Sequence, residues 1–459
     1  MDFEKQIQTD RESLIQDIMK LVSIDSVETA PDAGMPFGAG AAKALDCFLE
    51  TAESIGLKTE NFDHYAGHAD YGDQEETLGI LGHVDVVPCS GSWVCDPFKP
   101  EIIDGKLYGR GVLDDKGPLL ACLHAVKILK EEDMEIFELS GIAPNPKIES
   151  VREGVKLCKE NSIDMVLAIG GGSVIDCAKV VAAGACYDGD PWDLVITPRW
   201  IKKALPIYSV LTLSATGSEM DKFAVISDMS KNEKWGTASD HMKPKMSILD
   251  PEYTYSVSKK QTAAGTADII SHICENYFTN VKNADVQARF AEGLLKNCFK
   301  YGPVALEEPD NYDARANLMW TASMAINGMI QYGAEVAWCV HPMEHELSAF
   351  YDITHGEGLA ILTPHWMEFA LNDDTAYKFA DYARNVWDVV NDDDMAAAKE
   401  GIAYTREYFK KMGLPQTLTD VGIDKEYFDI MAQKAADGCK GSFVPLSKED
   451  IVSIYEAAL

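Results

Sequence analysis

Apolar residues recur at helical spacing over 8–24 and 38–55, which predicts two amphipathic helices. Leu78-Gly79-Ile80-Leu81 with Val84, Val86 and Val87 reads as a buried strand, 110–118 as a loop and 118–132 as a helix. The pattern changes near Met134. Residues 135–139 predict a short strand, 141–146 a turn, 148–160 a helix and 164–169 a buried strand running into Gly170-Gly-Gly-Ser173. A helix follows from about Val174. Residues 206–212 then predict a second strand that enters Ser214-Ala-Thr-Gly-Ser-Glu219. Strand, glycine loop, helix, strand is the order of a parallel sheet with crossovers. From 251 onward nearly all of the periodicity is helical, with helices expected at 259–279, 284–299, 312–330, 334–350, 357–371, 374–390, 395–411, 424–437 and 447–457. The expected fold class is α/β plus all-α. By periodicity, α/β segments over 1–134 and 135–250, with a break near 134, precede a helical segment over 251–459.

Composition adds exclusions. A net charge of −33 over 459 residues repels phosphate backbones and anionic lipids, so neither nucleic acid nor membrane is an expected partner. No apolar run reaches 18 residues, and the charged N-terminus is unlike a signal peptide. Eleven scattered cysteines with no Cys-x-x-Cys spacing read as reduced thiols of a cytoplasmic protein.

Two features carry chemistry. Gly171, Gly172 and Ser173 open a helix directly after a strand, where free N–H groups and the helix dipole favour an anion; a tight structural turn is the alternative reading. Four of the ten histidines fall between residues 268 and 355. Asp268 with His272, and His341 with His345, stand four apart, so each pair projects from one helix face, and His355 follows in Thr354-His355-Gly356. Imidazoles with one carboxylate suit Fe²⁺ or Zn²⁺, and one histidine beyond the ligand set would relay protons.

The stretch 135–459 resembles the iron-containing (type III) alcohol dehydrogenases, in particular the butanol dehydrogenase branch. The matching motifs are Gly170-Gly-Gly-Ser-Val-Ile-Asp176, Leu211-Thr-Leu-Ser-Ala-Thr-Gly-Ser-Glu219, Ala264-Gly-Thr-Ala-Asp-Ile-Ile-Ser-His272 and His341-Pro-Met-Glu-His345 through His355-Gly356. The resemblance implies a divalent metal, Fe²⁺ or Zn²⁺, on Asp268, His272, His341 and His355, with His345 in the proton path. It implies NADP or NAD with its pyrophosphate at Gly171, Gly172 and Ser173, Asp176 just inside the next helix, Thr212 and Thr216 lining the cleft, and Lys234 toward the ribose. The implied substrates are small alcohols and aldehydes. A homodimer, common in the family, is a further expectation.

The front of the chain resembles something else. Ile80-Leu-Gly-His83-Val-Asp85 and Gly109-Arg-Gly111-Val-Leu-Asp114-Asp115, with Tyr108 and the Trp93 to Phe98 stretch, are similar to the M20 metallopeptidases, near the PepV-type dipeptidases. That resemblance implies His83 and Asp114 as metal ligands and Asp85 as the carboxylate orienting His83. The adjacent glutamate pair that the peptidase needs does not follow. Glu131-Glu132 reads as a solvated helix end, so only a vestigial site is expected. The chain reads as a join near 134, lacking about 60 to 70 leading residues of a dehydrogenase, the size of two βα units. Three readings stay open at this point: an alcohol dehydrogenase impaired by that loss, an M20 dipeptidase remnant, and a catalytically inactive fusion of the two.

Overall fold

The computed structural model describes every residue except 1, 2, 33, 73–79, 81, 90, 132–135, 335 and 336. The chain divides into two compact units, Met1–Phe137 and Glu138–Leu459.

In the first unit, α1 (Phe3–Val22), α2 (Ala39–Ser54) and α3 (Lys116–Glu131) accompany two short antiparallel hairpins, β1 (Lys58–Phe62) with β2 (Ala66–Asp70) and β3 (Glu101–Ile103) with β4 (Lys106–Tyr108). Their core is small: Leu21, Ile24, Ala44, Cys47, Ala52, Leu57, Leu120 and Leu123. Polar contacts supplement it. Lys116, fully buried, donates to the carbonyls of Leu21 and Ile24 at the end of α1 (3.1 and 2.8 Å). His124 of α3 faces Asp17 of α1 at 2.9 Å. The strand expected across 78–87 does not form among the described residues of that stretch. Residues 78, 79 and 81 lie outside them, Ile80 and Val87 are exposed, and Val86 makes a single isolated bridge to Val27. A strand exists only through a partner ladder, and among the described residues no second strand lies beside this one.

The second unit begins with α4 (Ile148–Glu160), β5 (Val166–Gly170), α5 (Gly172–Ala185), α6 (Pro191–Ile196), β6 (Ile207–Leu211), the antiparallel hairpin β7 (Phe223–Asp228) and β8 (Glu233–Ala238), and β9 (Met246–Ile248). Strands β5, β6 and β9 form a parallel sheet in that order. The strand expected at 135–139 is absent: Glu135 lies outside the described residues, 136–139 carry no strand, and Ile136 and Phe137 are exposed. The expectation rested on local propensity, whereas β5 has no strand paired on its outer edge among the described residues. In register, Leu167, Tyr208 and Met246 lie side by side, as do Ile169, Val210 and Ile248. Leu167, Ile169, Met246 and Ile248 are exposed on that face, where parallel sheets are normally covered.

Among the described residues, nine helices of the same unit follow: α7 (Lys259–Tyr277), α8 (Asp285–Glu307), α9 (Tyr312–Ile326), α10 (Val340–Tyr351), α11 (His355–Ala370), α12 (Ala376–Trp387), α13 (Asp394–Lys411), α14 (Phe428–Cys439) and α15 (Lys448–Ala457). They enclose the largest hydrophobic core among the described residues. The expected helix 334–350 starts later, at Val340, and 335 and 336 lie outside the described residues.

Candidate metal centre and nucleotide cleft

Helix α7 is the axis of the site. Ser258 caps it by accepting from the Gln261 N–H at 3.3 Å, and every residue from Thr262 to Tyr277 is buried. Small residues at Ala263, Ala264 and Ala267 let neighbours approach closely. At Gly356 in the first turn of α11, an added Cβ would stand 2.0 Å from the Ala264 carbonyl oxygen. This contact brings the start of α11, and hence His355, against the face of α7 that carries Asp268.

Three imidazoles converge on one oxygen. Nε2 of His272 lies 3.6 Å from Asp268 Oδ1, and Nε2 of His341 and of His355 each lie 3.7 Å from it. Ligand atoms of Asp268, His272 and His341 all fall within 4.8 Å of one another, and those of Glu344, His345 and His355 form a second such cluster. His355 belongs to the second cluster, and its Nε2 also faces Asp268 Oδ1 of the first. Asp268 Oδ1 and His341 Nε2 are buried without a hydrogen-bond partner. Buried polar atoms are normally satisfied, so orphaned donors aimed at one point mark the place of a cation. The electrostatics agree. Burial by itself would raise the Asp268 carboxyl, yet the neighbouring imidazoles hold it well below the carboxylate range. Burial drives His272 down to about 3, whereas His341, against burial, is drawn up to about 9 by Asp268 and Glu275. These two carboxylates together demand positive charge. The donor set fits Fe²⁺ or Zn²⁺.

Sequence reasoning missed the groups behind this set. Glu275, one turn beyond His272, accepts from the N–H groups of Cys339 (3.0 Å) and His341 (2.8 Å) at the start of α10, and its carboxylate lies 3.3 Å from His341 Nδ1. Glu344 accepts from His355 Nδ1 and Ser348 Oγ, and Lys234 Nζ lies 3.2 Å from both Glu344 Oε2 and His355 Nδ1. Asn276 Oδ1 accepts from Gln331 Nε2 at 2.7 Å and Trp338 Nε1 at 3.2 Å, fixing Trp338 with its ring 4.7 Å from that of His341. The i, i+3 and i, i+4 offsets of Glu275 from His272 and of Ser348 from Glu344 were a signal available in the sequence.

A cavity of about 910 Å³ joins Asp268, His272, His341, His345 and His355 to Gly171, Gly172 and Ser173 at the start of α5. Gly172 is required there: an added Cβ would stand 2.2 Å from Thr216 Oγ1. Thr212 and Thr216 line the same cavity. Asp176 also borders it, but its carboxylate is engaged by Ser218 Oγ (2.6 Å) and the Val225 N–H (2.8 Å), tying α5 to β7. Lys234 sits at the histidine end of the cavity, not beside the glycine loop.

In the first unit, His83 Nε2 lies 3.4 Å from Asp114 Oδ1 and His83 Nδ1 lies 3.3 Å from Asp85 Oδ1. All three side chains are about half exposed or more, and they form no three-ligand cluster among the described residues.

Residues 262–459 match the C-terminal profile of the Fe-containing alcohol dehydrogenase family, and 112–251 match the iron-containing alcohol dehydrogenase profile. Residues 79–138 match peptidase family M20/M25/M40, so 112–138, which hold α3, match both. The chain is 56% identical over 354 residues to NADH-dependent butanol dehydrogenase A of Clostridium acetobutylicum, covering 76% of this chain and 90% of that protein. It is 40% identical over 331 residues to the NADPH-dependent aldehyde reductase YqhD of Escherichia coli, covering 71% and 84%. The crystal structure of NADH-dependent butanol dehydrogenase A from Thermotoga maritima superposes with a TM-score of 0.68 at 38% identity, over 74% of this chain and 87% of that one. The match to the clostridial protein leaves a tenth of it uncovered.

Proposed function

The chain belongs to the iron-containing alcohol dehydrogenases, and from that premise we propose how its residues divide the work of an NAD(P)-dependent alcohol dehydrogenase and aldehyde reductase acting on small primary alcohols and aldehydes. Asp268, His272, His341 and His355 hold Fe²⁺, or Zn²⁺ in its place. When bound, the metal serves as a Lewis acid toward the substrate oxygen, and the nicotinamide provides the hydride chemistry.

The remaining tasks fall to the chain. Gly171, Gly172 and Ser173 at the start of α5 hold the pyrophosphate, whose charge the helix N-terminus favours. Thr212 and Thr216 flank the cofactor, Asp176 anchors the helix beneath it, and Lys234 contacts the ribose nearest the metal end. Trp338 and Ile326 exclude water and turn an apolar surface toward the alkyl group of the substrate. His345, which burial and then the Lys234 charge keep neutral, accepts the alcohol proton and returns it in the reverse direction.

The single observation that carries this reading is the convergence of three imidazole nitrogens on a partnerless buried carboxylate oxygen, in the same cavity as the glycine-initiated helix. The test replaces Asp268 and His272 by alanine together. Metal content should fall to background, and butyraldehyde-dependent oxidation of NADH or NADPH should fall with it; unchanged metal content would refute the ligand set. We further propose a division into a peptidase-like start (1–134), a cofactor domain (135–250) and a metal-binding domain (251–459), supported by the motif order. The join at 134 itself lies outside the described residues. Eleven cysteines without a disulfide support a cytoplasmic location. No helix among the described residues is long and apolar enough to cross a membrane.

A further inference from the structure

We infer that Glu344, charge-balanced by Lys234, is a positioning residue that turns Nε2 of His355 toward Asp268. The inference rests on the ligand set proposed above.

Among the candidate ligands, His355 is the least enclosed. Its side chain is 22% exposed, against 4 to 6% for Asp268, His272 and His341. It also stands at the first position of α11, where helix packing does little to define the ring. Its orientation needs another source. Glu344 supplies one: its carboxylate is fully buried and accepts from His355 Nδ1 and from Ser348 Oγ. An imidazole donating from Nδ1 carries its lone pair on Nε2, the atom 3.7 Å from Asp268 Oδ1.

A lone buried carboxylate would be costly, and Lys234 answers that cost. Its Nζ lies 3.2 Å from Glu344 Oε2 and 3.0 Å from Asn145 Oδ1. Asn145 in turn donates to Asp352 Oδ1 (3.2 Å) and to the Ile353 carbonyl (3.1 Å), two residues before His355. Lys234 and Asn145 come from the α/β half, Glu344 and His355 from the helical half. The network thus fixes a ligand from both sides of the cavity. The same ammonium fills the cation place of the Glu344, His345 and His355 cluster, so that cluster orients a ligand of the first site instead of forming a second one.

The test measures Co²⁺ affinity of the full chain by chelator competition, together with the visible absorption of bound Co²⁺. Glu344→Gln keeps the shape and removes the charge. It should weaken Co²⁺ about 10- to 100-fold, the usual effect of losing a carboxylate behind a ligating histidine, and should alter the spectrum. Ser348→Ala, which leaves the Glu344–His355 pair intact, should change the affinity less than about threefold. Wild-type affinity and spectrum in a folded Glu344→Gln protein would overturn the inference. Where the substitution prevents folding, ¹⁵N-histidine NMR of the Zn²⁺-loaded wild type decides: a proton on Nδ1 of His355 is expected, and a proton on Nε2 overturns it. Asp268→Ala, run alongside, separates the two claims. Loss of metal there with none in Glu344→Gln sinks only the positioning role, and retention of metal in Asp268→Ala sinks the ligand set itself.

Discussion

The chain carries two clusters built from the same residue types, and they differ in what surrounds them. His83 lies within 3.4 Å of both Asp85 and Asp114 on an exposed surface of the first unit. Asp268, His272 and His341 meet inside a helical core, with orphaned atoms facing one point and Glu275 bracing the set from behind. Ligand identity is similar in the two, but the side chains of the first are about half exposed or more and lie within reach of solvent. In the second, only a cation or a proton can satisfy the buried atoms. The comparison separates a ligand constellation from a ligand site: burial and bracing carboxylates turn one into the other.

The largest expected effect contrasts the two directly. Asp268→Ala should empty the metal centre and lower aldehyde reduction by at least about 100-fold, a few kcal/mol of lost charge stabilisation. His83→Ala should leave metal content and turnover within about twofold, as is usual for an exposed side chain outside the proposed ligand set. Elemental analysis and NAD(P)H oxidation check both. A second metal equivalent lost on His83→Ala would show that the first unit still holds a working site.

The next effect tests the far end of the cavity. Gly172→Val would press a side chain into Thr216, whose Oγ1 stands 2.2 Å from the place of the added Cβ. Overpacking of this kind costs about 1–3 kcal/mol, so cofactor affinity should fall roughly 5- to 100-fold in a fluorescence titration, with metal content unchanged. Loss of metal along with cofactor would mean that the two ends of the cavity are not independent.

A third concerns charge burial outside both clusters. Burial raises the Glu346 carboxyl to about 7, with Lys434 at 3.3 Å opposing the shift and Glu233 adding to it. The folded chain binds this proton more tightly than the unfolded chain. The associated stability is therefore fully present below about 4.5 and lost as pH rises through about 7. Glu346→Gln should stabilise the protein at pH 8, by an amount on the order of 2–3 kcal/mol, and leave it unchanged at pH 4, as read by denaturant unfolding. Equal effects at the two values would exclude the linkage.

The smallest effect is expected on the open sheet face. Leu167→Lys places a charge where the native side chain is already 54% exposed, so stability should change by no more than about 0.5 kcal/mol while aggregation decreases. A drop of several degrees in Tm would show that this face is covered in solution.

Most helices were legible from periodicity, and 148–160 matches α4 to the residue, because an amphipathic helix writes its 3.6-residue repeat into local sequence. The strands at 164–169 and 206–212 appeared close to where they were expected, since they pair within one unit. The segments at 78–87 and 135–139 have the composition of strands, but among their described residues no ladder forms, and propensity cannot supply one. The four-residue spacing of Asp268 with His272, the lone His355 and the glycines before α5 were visible because chemistry there depends on residue type and short spacing. The bracing contacts of Glu275, Glu344 and Lys234 were not: the helical offset of Glu275 and the resemblance naming Lys234 were legible, but the partners they meet stand 66 to 121 positions away. By itself, then, the sequence determined family, helix positions and the ligand types. The tertiary structure alone decided which carboxylates stand behind which imidazoles, that the two ends share one cavity, and that the first cluster stays exposed. Local sequence sets the propensity of each group, while long-range packing sets the dielectric and the neighbours that decide what the group can do.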